Sequence, residues 1–163
     1  MIVREAHPHE LPAAGALRVQ AYEDQDLLAA APGYAATLRG LGADGAGTVL
    51  VAVDDAGGLL GTVMLEPWLP RSEVARTRDE AEIRALAVAP DAQGRGVGRA
   101  LLRTVLDRAA ASGATRLLLS TQPAMTTAQR LYASEGFARV PERDWSPFPG
   151  VTLMAYARPL AAP

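Results

Sequence analysis

Glu82-Ile83-Arg84-Ala85-Leu86-Ala87-Val88-Ala89-Pro90-Asp91-Ala92-Gln93-Gly94-Arg95-Gly96-Val97-Gly98-Arg99 decides how the rest of this chain is read. Over Ala81–Val88, Glu82, Arg84 and Leu86 alternate with Ile83, Ala85 and Ala87, the period of two that marks a strand. Pro90 ends it, because the residue before a proline is pushed to extended backbone and the proline has no N–H. From Val97 the period changes. Val97, Leu101 and Val105 share a stripe with Leu102, Leu106 and Ala109, which predicts a helix to Ser112 closed by Gly113 in the left-handed conformation. Between strand and helix lie three glycines, which permit positive φ and close approach of a ligand to the backbone. The amides of the first helical turn have no intrahelical acceptor and sit at the positive end of the helix dipole. Such a turn suits phosphate or pyrophosphate. Arg95 and Arg99 add positive charge at its rim.

Working outward, Thr115–Thr121 is a nearly continuous apolar strand suited to burial on both faces. It is expected to lie parallel to Ala81–Val88, with the intervening helix making a right-handed crossover. Upstream, Ile2–Ala6 reads as a strand and Pro8 to about Tyr22 as a helix. A weaker helix from Asp26 to Arg39 is interrupted near Pro32-Gly33. Thr48–Val53 and Leu59–Glu66 form a hairpin around Asp54-Asp55-Ala56-Gly57-Gly58. Downstream, Thr126 and Gln129 have capping-box spacing and open a helix that ends at Glu135-Gly136. Phe137–Val140 and Val151–Ala157 are the last strands, around a proline-rich loop. The fold class expected is α/β, in the α+β sense: a mixed, mostly antiparallel twisted sheet of about six or seven strands with about four helices.

The 163 residues are most simply one domain, large enough for its own core. A formal charge of -2 gives no global field to recruit nucleic acid or an anionic membrane. All 16 positive residues are Arg, which removes Schiff-base lysine chemistry and is ascribed to coding bias. Cysteine is absent, so disulfides, thiolate zinc sites and a covalent acetyl-thiol intermediate are excluded. No apolar run approaches the length of a membrane span, and no signal-peptide pattern opens the chain. A soluble cytoplasmic protein is expected.

Two familiar phosphate loops do not fit the turn. A dinucleotide fingerprint needs its third glycine where Arg99 stands, and the P-loop needs a lysine. What remains, Gln93-x-x-Gly96-x-Gly98, resembles the acetyl-CoA pyrophosphate motif of the GNAT acetyltransferase superfamily. Leu131-Tyr132-Ala133-Ser134-Glu135-Gly136-Phe137 is similar to that family's L-Y-x-x-x-G-F helix end, and the likeness extends from Ile2 to about Tyr156. It implies a GNAT fold splayed at the central parallel pair. It also implies acetyl-CoA as cosubstrate, bound by the turn residues Gln93, Gly94, Arg95, Gly96, Val97, Gly98 and Arg99. The backbone of Leu86, Ala87 and Val88 would pair with the pantetheine arm. The family often carries Asn before the Tyr-bearing helix; this chain has none and offers Thr126 and Thr127, of which Thr127 is the candidate pantetheine contact.

Acetylating an amine from a thioester requires deprotonating the amine, stabilising an oxyanion and protonating the departing thiolate. An alkyl amine has a pKa near ~10, so a base or water chain is needed at neutral pH. The resemblance makes Tyr132 the general acid toward the sulfur; helix spacing alone makes it a core aromatic. Glu82 is the general-base candidate, or else a solvated strand charge paired with Arg84. Glu66 and Glu80 are reserves. His7 and His9 flank Pro8 at a helix start and are read as surface residues, with no metal site.

The acceptor is expected to be a small-molecule or peptide amine, with a homodimer as one assembly open to the chain. Tyr22, Tyr34, Trp68, Arg71, Arg76, Trp145 and Phe148 are the side chains that the resemblance would bring to the acceptor pocket. A non-catalytic acyl-CoA sensor, or a nucleotide-binding module, would keep the same turn. Release of coenzyme A on adding acceptors separates the first alternative, and preference for ATP over coenzyme A the second.

Overall fold

The computed structural model describes residues 1–29 and 31–161. Strands β1 (Ile2–Glu5), β2 (Thr48–Val53), β3 (Leu59–Pro67), β4 (Glu80–Val88), β5 (Arg116–Thr121), β6 (Ala138–Arg139), β7 (Trp145–Phe148) and β8 (Val151–Pro159) alternate with four helices. The helices are α1 (Leu11–Asp24), α2 (Tyr34–Gly40), α3 (Val97–Ala111) and α4 (Thr126–Ser134). The sheet order is β1-β2-β3-β4-β5-β8-β6, with β7 pairing to β8. The pairs β1–β2, β2–β3, β5–β8, β6–β8 and β7–β8 are antiparallel, and β4–β5 is parallel. The expected parallel pair, joined through α3, is therefore present.

The chain divides into two compact units: Met1–Leu65 with Ala85–Val105, and Glu66–Arg84 with the residues from Leu106 on. The first unit buries Ala14, Val19, Leu38, Val49, Val51, Val53 and Met64, with Tyr22 and Tyr34 packed against them. Branched residues at successive positions of β2 bury both faces of that strand. Arg18 lies fully inside this unit, and its Nη1 donates to the carbonyls of Leu38 and Leu41 at 3.0 and 3.1 Å. The second unit closes over Val74, Leu118, Ala155 and Ala157, with Val140 and Trp145 against them. Its β4–β5 ladder is short, pairing Glu80 with Arg116, Ala81 with Leu117 and Glu82 with Leu118.

Several expected elements shift. The helix expected from Pro8 begins as a 3-10 turn at Pro8–Glu10, and α1 starts at Leu11. Of the helix expected over Asp26–Arg39, only Tyr34–Gly40 forms, after the Pro32-Gly33 interruption; Ala30 lies outside the described residues. Asp26, at φ 57°, takes the chain out of α1. The expected capping box at Thr126 is absent. Met125 is the N-cap, and Gln129 Nε2 donates back to the carbonyls of Gln122 and Pro123 instead. The proline-rich loop contains β7, so eight strands form among the described residues; Pro147 is tolerated there because a short peripheral strand can forgo one ladder bond. Gly113 and Gly136, both at φ 88°, close α3 and α4 as expected.

Helix α3 is seated on β3 at a glycine. A Cβ built on Gly61 would lie 2.9 Å from Leu101 Cδ1, 2.9 Å from Val97 Cγ1 and 3.0 Å from the Ala87 carbonyl. Gly61→Ala is therefore expected to destabilise by about 1–3 kcal/mol through overpacking, read as a lower denaturant midpoint at unchanged slope. An unchanged midpoint contradicts this account of how the start of α3 is positioned.

Candidate active site

In the first unit the glycine-rich turn is built on anchors at both ends. The Ala89 amide donates to the Leu60 carbonyl at 2.8 Å, and Ala92 closes the turn at Pro90–Ala92 by donating to the Ala89 carbonyl at 2.9 Å. Ala92 and Val97 are buried, while Gln93, Gly94, Arg95 and Gly96 between them are exposed. Gly94 (φ 75°) and Gly96 (φ 82°) are both left-handed. A Cβ at either would meet no protein atom within 4 Å. The space over the turn is thus open, and the main chain is bare toward it. The first α-helical bond runs from Ala100 N–H to the Gly96 carbonyl at 3.0 Å, so the amides of Val97, Gly98 and Arg99 precede the ladder. Arg95 has no side-chain partner among the described residues.

Before the turn, Ala85 is a non-glycine residue at φ 53° inside β4. A left-handed residue cannot continue the pleat, so the strict alternation expected through Ala81–Val88 stops there. Ala87 beyond it is buried and Leu86 and Val88 are half-buried.

In the second unit the sequence-predicted carboxylates are buried, but not as a solvated strand face. Glu82 is 1% exposed. Its Oε1 accepts the amides of Val74 and Ala75 at 3.2 and 3.1 Å, and its Oε2 that of Glu73 at 3.2 Å. Arg84 pairs instead with Glu66 at 3.3 Å and, through Nε, with Glu73 at 3.2 Å. Arg71 also reaches Glu66, at 3.3 Å. Glu80 takes a bidentate Arg143 at 2.9 and 3.1 Å, together with Arg116 and the amides of Arg76 and Thr77. Burial raises the Glu80 pKa, but the hydrogen bonds from Arg143 and the Arg76 amide outweigh it and hold the carboxyl below its ordinary value.

Tyr132 is 5% exposed, on α4, with its ring against Phe137 (5.8 Å between centroids) and Tyr156 (6.2 Å). Its hydroxyl makes no hydrogen bond among the described residues. Burial pushes its pKa well above that of an ordinary phenol, so the group is a neutral O–H throughout the neutral range. Packing thus uses the ring and leaves the hydroxyl uncommitted. Thr127 is exposed in the first turn of α4. No hydrogen bond joins Tyr132 to Glu82 among the described residues.

Of the expected acceptor-pocket residues, Tyr22 and Tyr34 lie together against the first unit's core, ring centroids 6.2 Å apart and planes tilted by 52°. Trp145 donates from Nε1 to Ser120 Oγ at 3.2 Å in the second, and Phe148 lies on β7. Trp68 carries the Arg78 guanidinium over its ring at 5.2 Å, and Arg76 is exposed. His7 and His9 are exposed and stacked at 5.6 Å, and no cluster that could hold a metal occurs among the described residues. Glu73 was not singled out from the sequence. It sits in an irregular loop where no periodicity marks burial, and its only signal was acidity between two arginines.

A sequence profile described as the Acetyltransferase (GNAT) family matches residues 13–137. The chain belongs to the GNAT acetyltransferase family. Among curated relatives, a mycothiol acetyltransferase of Beutenbergia cavernae is 38% identical over 80 residues, 49% of this chain and 26% of that protein. The matched segment spans less than half the length of the curated relatives. A GNAT-family acetyltransferase from Staphylococcus aureus superposes with a TM-score of 0.78 at 16% identity, covering 98% of this chain and 99% of that one. A phosphinothricin acetyltransferase from Sinorhizobium meliloti, solved in complex with AcCoA, superposes at 0.72 with 18% identity over 98% and 88%. At these identities the superpositions establish the fold. Among the described residues of this GNAT chain, no helix is long and apolar enough to cross a membrane.

Removing the Glu82 carboxylate would strand three main-chain donors. Glu82→Ala is expected to cost about 2–4 kcal/mol, since each buried donor left unsatisfied costs roughly 1–3 before water recovers part of it. Amide hydrogen exchange at Val74 and Ala75 should accelerate selectively. Unaltered exchange at both contradicts the anchoring role.

Proposed function

We propose that this chain works as one cytoplasmic acetyltransferase domain. It transfers the acetyl group of acetyl-CoA to a primary amine of a small molecule or peptide, by direct attack. The observation that carries the reading is the turn at Gln93–Arg99: two left-handed glycines, open space where their side chains would be, and a 15-residue helix beginning just after Arg95, which has no side-chain partner among the described residues. Backbone N–H groups and a dipole end of this kind favour pyrophosphate, with Arg95 and Arg99 contributing charge. Leu86, Ala87 and Val88 would hold the pantetheine arm through their main chain, and Thr127 would contribute a hydroxyl.

Tyr132 and Glu82 are assigned the proton transfers. Tyr132 offers a neutral phenol whose oxygen has no hydrogen-bond partner among the described residues, suited to donate to the departing sulfur. Glu82 is assigned as the general base for the amine. With no cysteine in the chain, no acyl-thiol step is available to the protein, and the amine attacks the thioester directly.

Gly96→Ala places a Cβ in open space but on left-handed backbone, at a folding cost of about 1–2 kcal/mol. Its acetyl-CoA affinity, by calorimetry, should fall at least about tenfold, near 1.4 kcal/mol. Unchanged affinity in a folded variant overturns the assigned cradle. Tyr132→Phe keeps the ring packing and should lower the turnover number by about 10²–10⁴-fold, with acetyl-CoA affinity little changed. Wild-type turnover where chemistry limits the rate reduces Tyr132 to a core aromatic.

A further inference from the structure

A groove of about 380 Å³ opens on the first unit, and none of its lining belongs to the glycine-rich turn. It is lined by Leu11, Pro12 and Ala16 of α1, by Arg39 of α2, and by Leu41 and Ala43 of the loop that follows. Its walls are fixed. A Cβ built on Gly15 would lie 2.4 Å from the Arg39 carbonyl oxygen, so the two helices meet backbone to backbone there. The buried Arg18 of α1 donates to the carbonyls of Leu38 and Leu41 at 3.0 and 3.1 Å. The Ala43 amide donates to the Gly40 carbonyl at 3.0 Å. The end of α2 and the loop after it are thereby held against α1.

The lining side chains are apolar apart from Arg39, which is exposed and makes no hydrogen bond or ion pair with any described residue. In this it differs from Arg4, Arg139 and Arg143, each seated on a carboxylate by two prongs. The acidic side chain of the adjoining loop, Asp44, turns to its own backbone and accepts the Ala46 amide at 3.0 Å. A guanidinium beside apolar surface matches a planar carboxylate carried on an apolar body. A phosphate dianion would call for a second cation, and the lining supplies one. A peptide would bring amide groups that the apolar side chains cannot satisfy.

We propose that this groove binds a small free carboxylic acid with an unbranched apolar chain, its carboxylate on Arg39 and its chain along Leu11, Pro12, Ala16 and Leu41. The volume lies at the low end of the roughly 300–1,000 Å³ of small-molecule sites, which suits a chain of about six to ten carbons. The apolar lining supplies the affinity through the area it removes from water. Arg39 supplies the selection for charge. The groove belongs to the first unit alone and does not depend on the acetyl-transfer reading.

The test is a titration of the full chain with hexanoate, octanoate and decanoate, in excess coenzyme A and followed by amide chemical shifts. Octanoate is expected to bind with a Kd of about 1 mM or tighter, with shifts centred on Ala16, Arg39 and Ala43. Affinity should rise about two- to fourfold for each added methylene. Octanamide keeps the chain and loses the charge, and should bind at least about fivefold more weakly. Arg39→Gln should bring octanoate down to that same level. Ala16→Trp fills the groove from an exposed helix position and should abolish binding, with coenzyme A affinity unchanged. Equal affinity for octanoate and octanamide overturns the proposal. So does undiminished octanoate binding by Arg39→Gln or by a folded Ala16→Trp chain, or tighter binding of the dipeptide N-acetyl-leucyl-leucine than of octanoate. Should Arg39→Gln fail to fold, the octanamide comparison and Ala16→Trp decide the matter. A chain that binds octanoate in this way but acetylates no amine keeps the groove assignment and loses only the reading above.

Discussion

Glu82 carries a carboxylate that is 1% exposed, and an uncompensated buried charge costs several kcal/mol even after relaxation. Three main-chain N–H groups of the 73–75 segment supply the compensation. The arrangement works in both directions. The loop between β3 and β4 has no regular structure over these residues to satisfy its amides, and the strand carboxylate does so for it. Arg143 ties the same loop from the other side, donating to the Val74 carbonyl at 2.9 Å while it holds Glu80. The loop that carries Glu73, Arg71 and Trp68 is therefore shaped by buried charge rather than by apolar packing alone.

This use of charge gives the all-arginine composition a structural counterpart. Arg4 on Glu10, Arg139 on Asp144 and Arg143 on Glu80 are all two-pronged pairs. A planar guanidinium makes such pairs and an ammonium does not. Coding bias does not explain why the half-buried arginines face carboxylates in this geometry. In the first unit the glycine-rich turn is built differently, from backbone. The turn at Gln93–Gly96 contributes bare main chain, and its position is fixed by the buried Ala92 and Val97 on either side and by the close seat of α3 on Gly61.

The glycine turn was legible because its chemistry is local: φ, spacing and a following amphipathic helix can all be read from consecutive residues. The strand–helix–strand order from Ala81 to Thr121 was legible for the same reason, and the parallel β4–β5 pair followed from it. What could not be read was set by partners distant in sequence. Nothing near Ala85 announces a left-handed residue, because alanine is an unlikely choice there. Glu82 looked like one charge of an alternating strand; its burial depends on a loop seven to nine residues earlier whose amides needed an acceptor. Tyr132 was placed by family resemblance, but that its hydroxyl goes unused by the packing only coordinates could show. Strand β7 was hidden by its proline, since its pairing with β8 overrides a poor local propensity.

The most direct test of the whole account is a single mass balance. The full chain is incubated with acetyl-CoA and a primary amine, and free thiol and N-acetylated amine are quantified side by side. The account predicts that thiol appears only when amine is present, with one amide formed for each thiol. Thiol released without amide, or acetyl-CoA bound but never consumed by any amine, would contradict it.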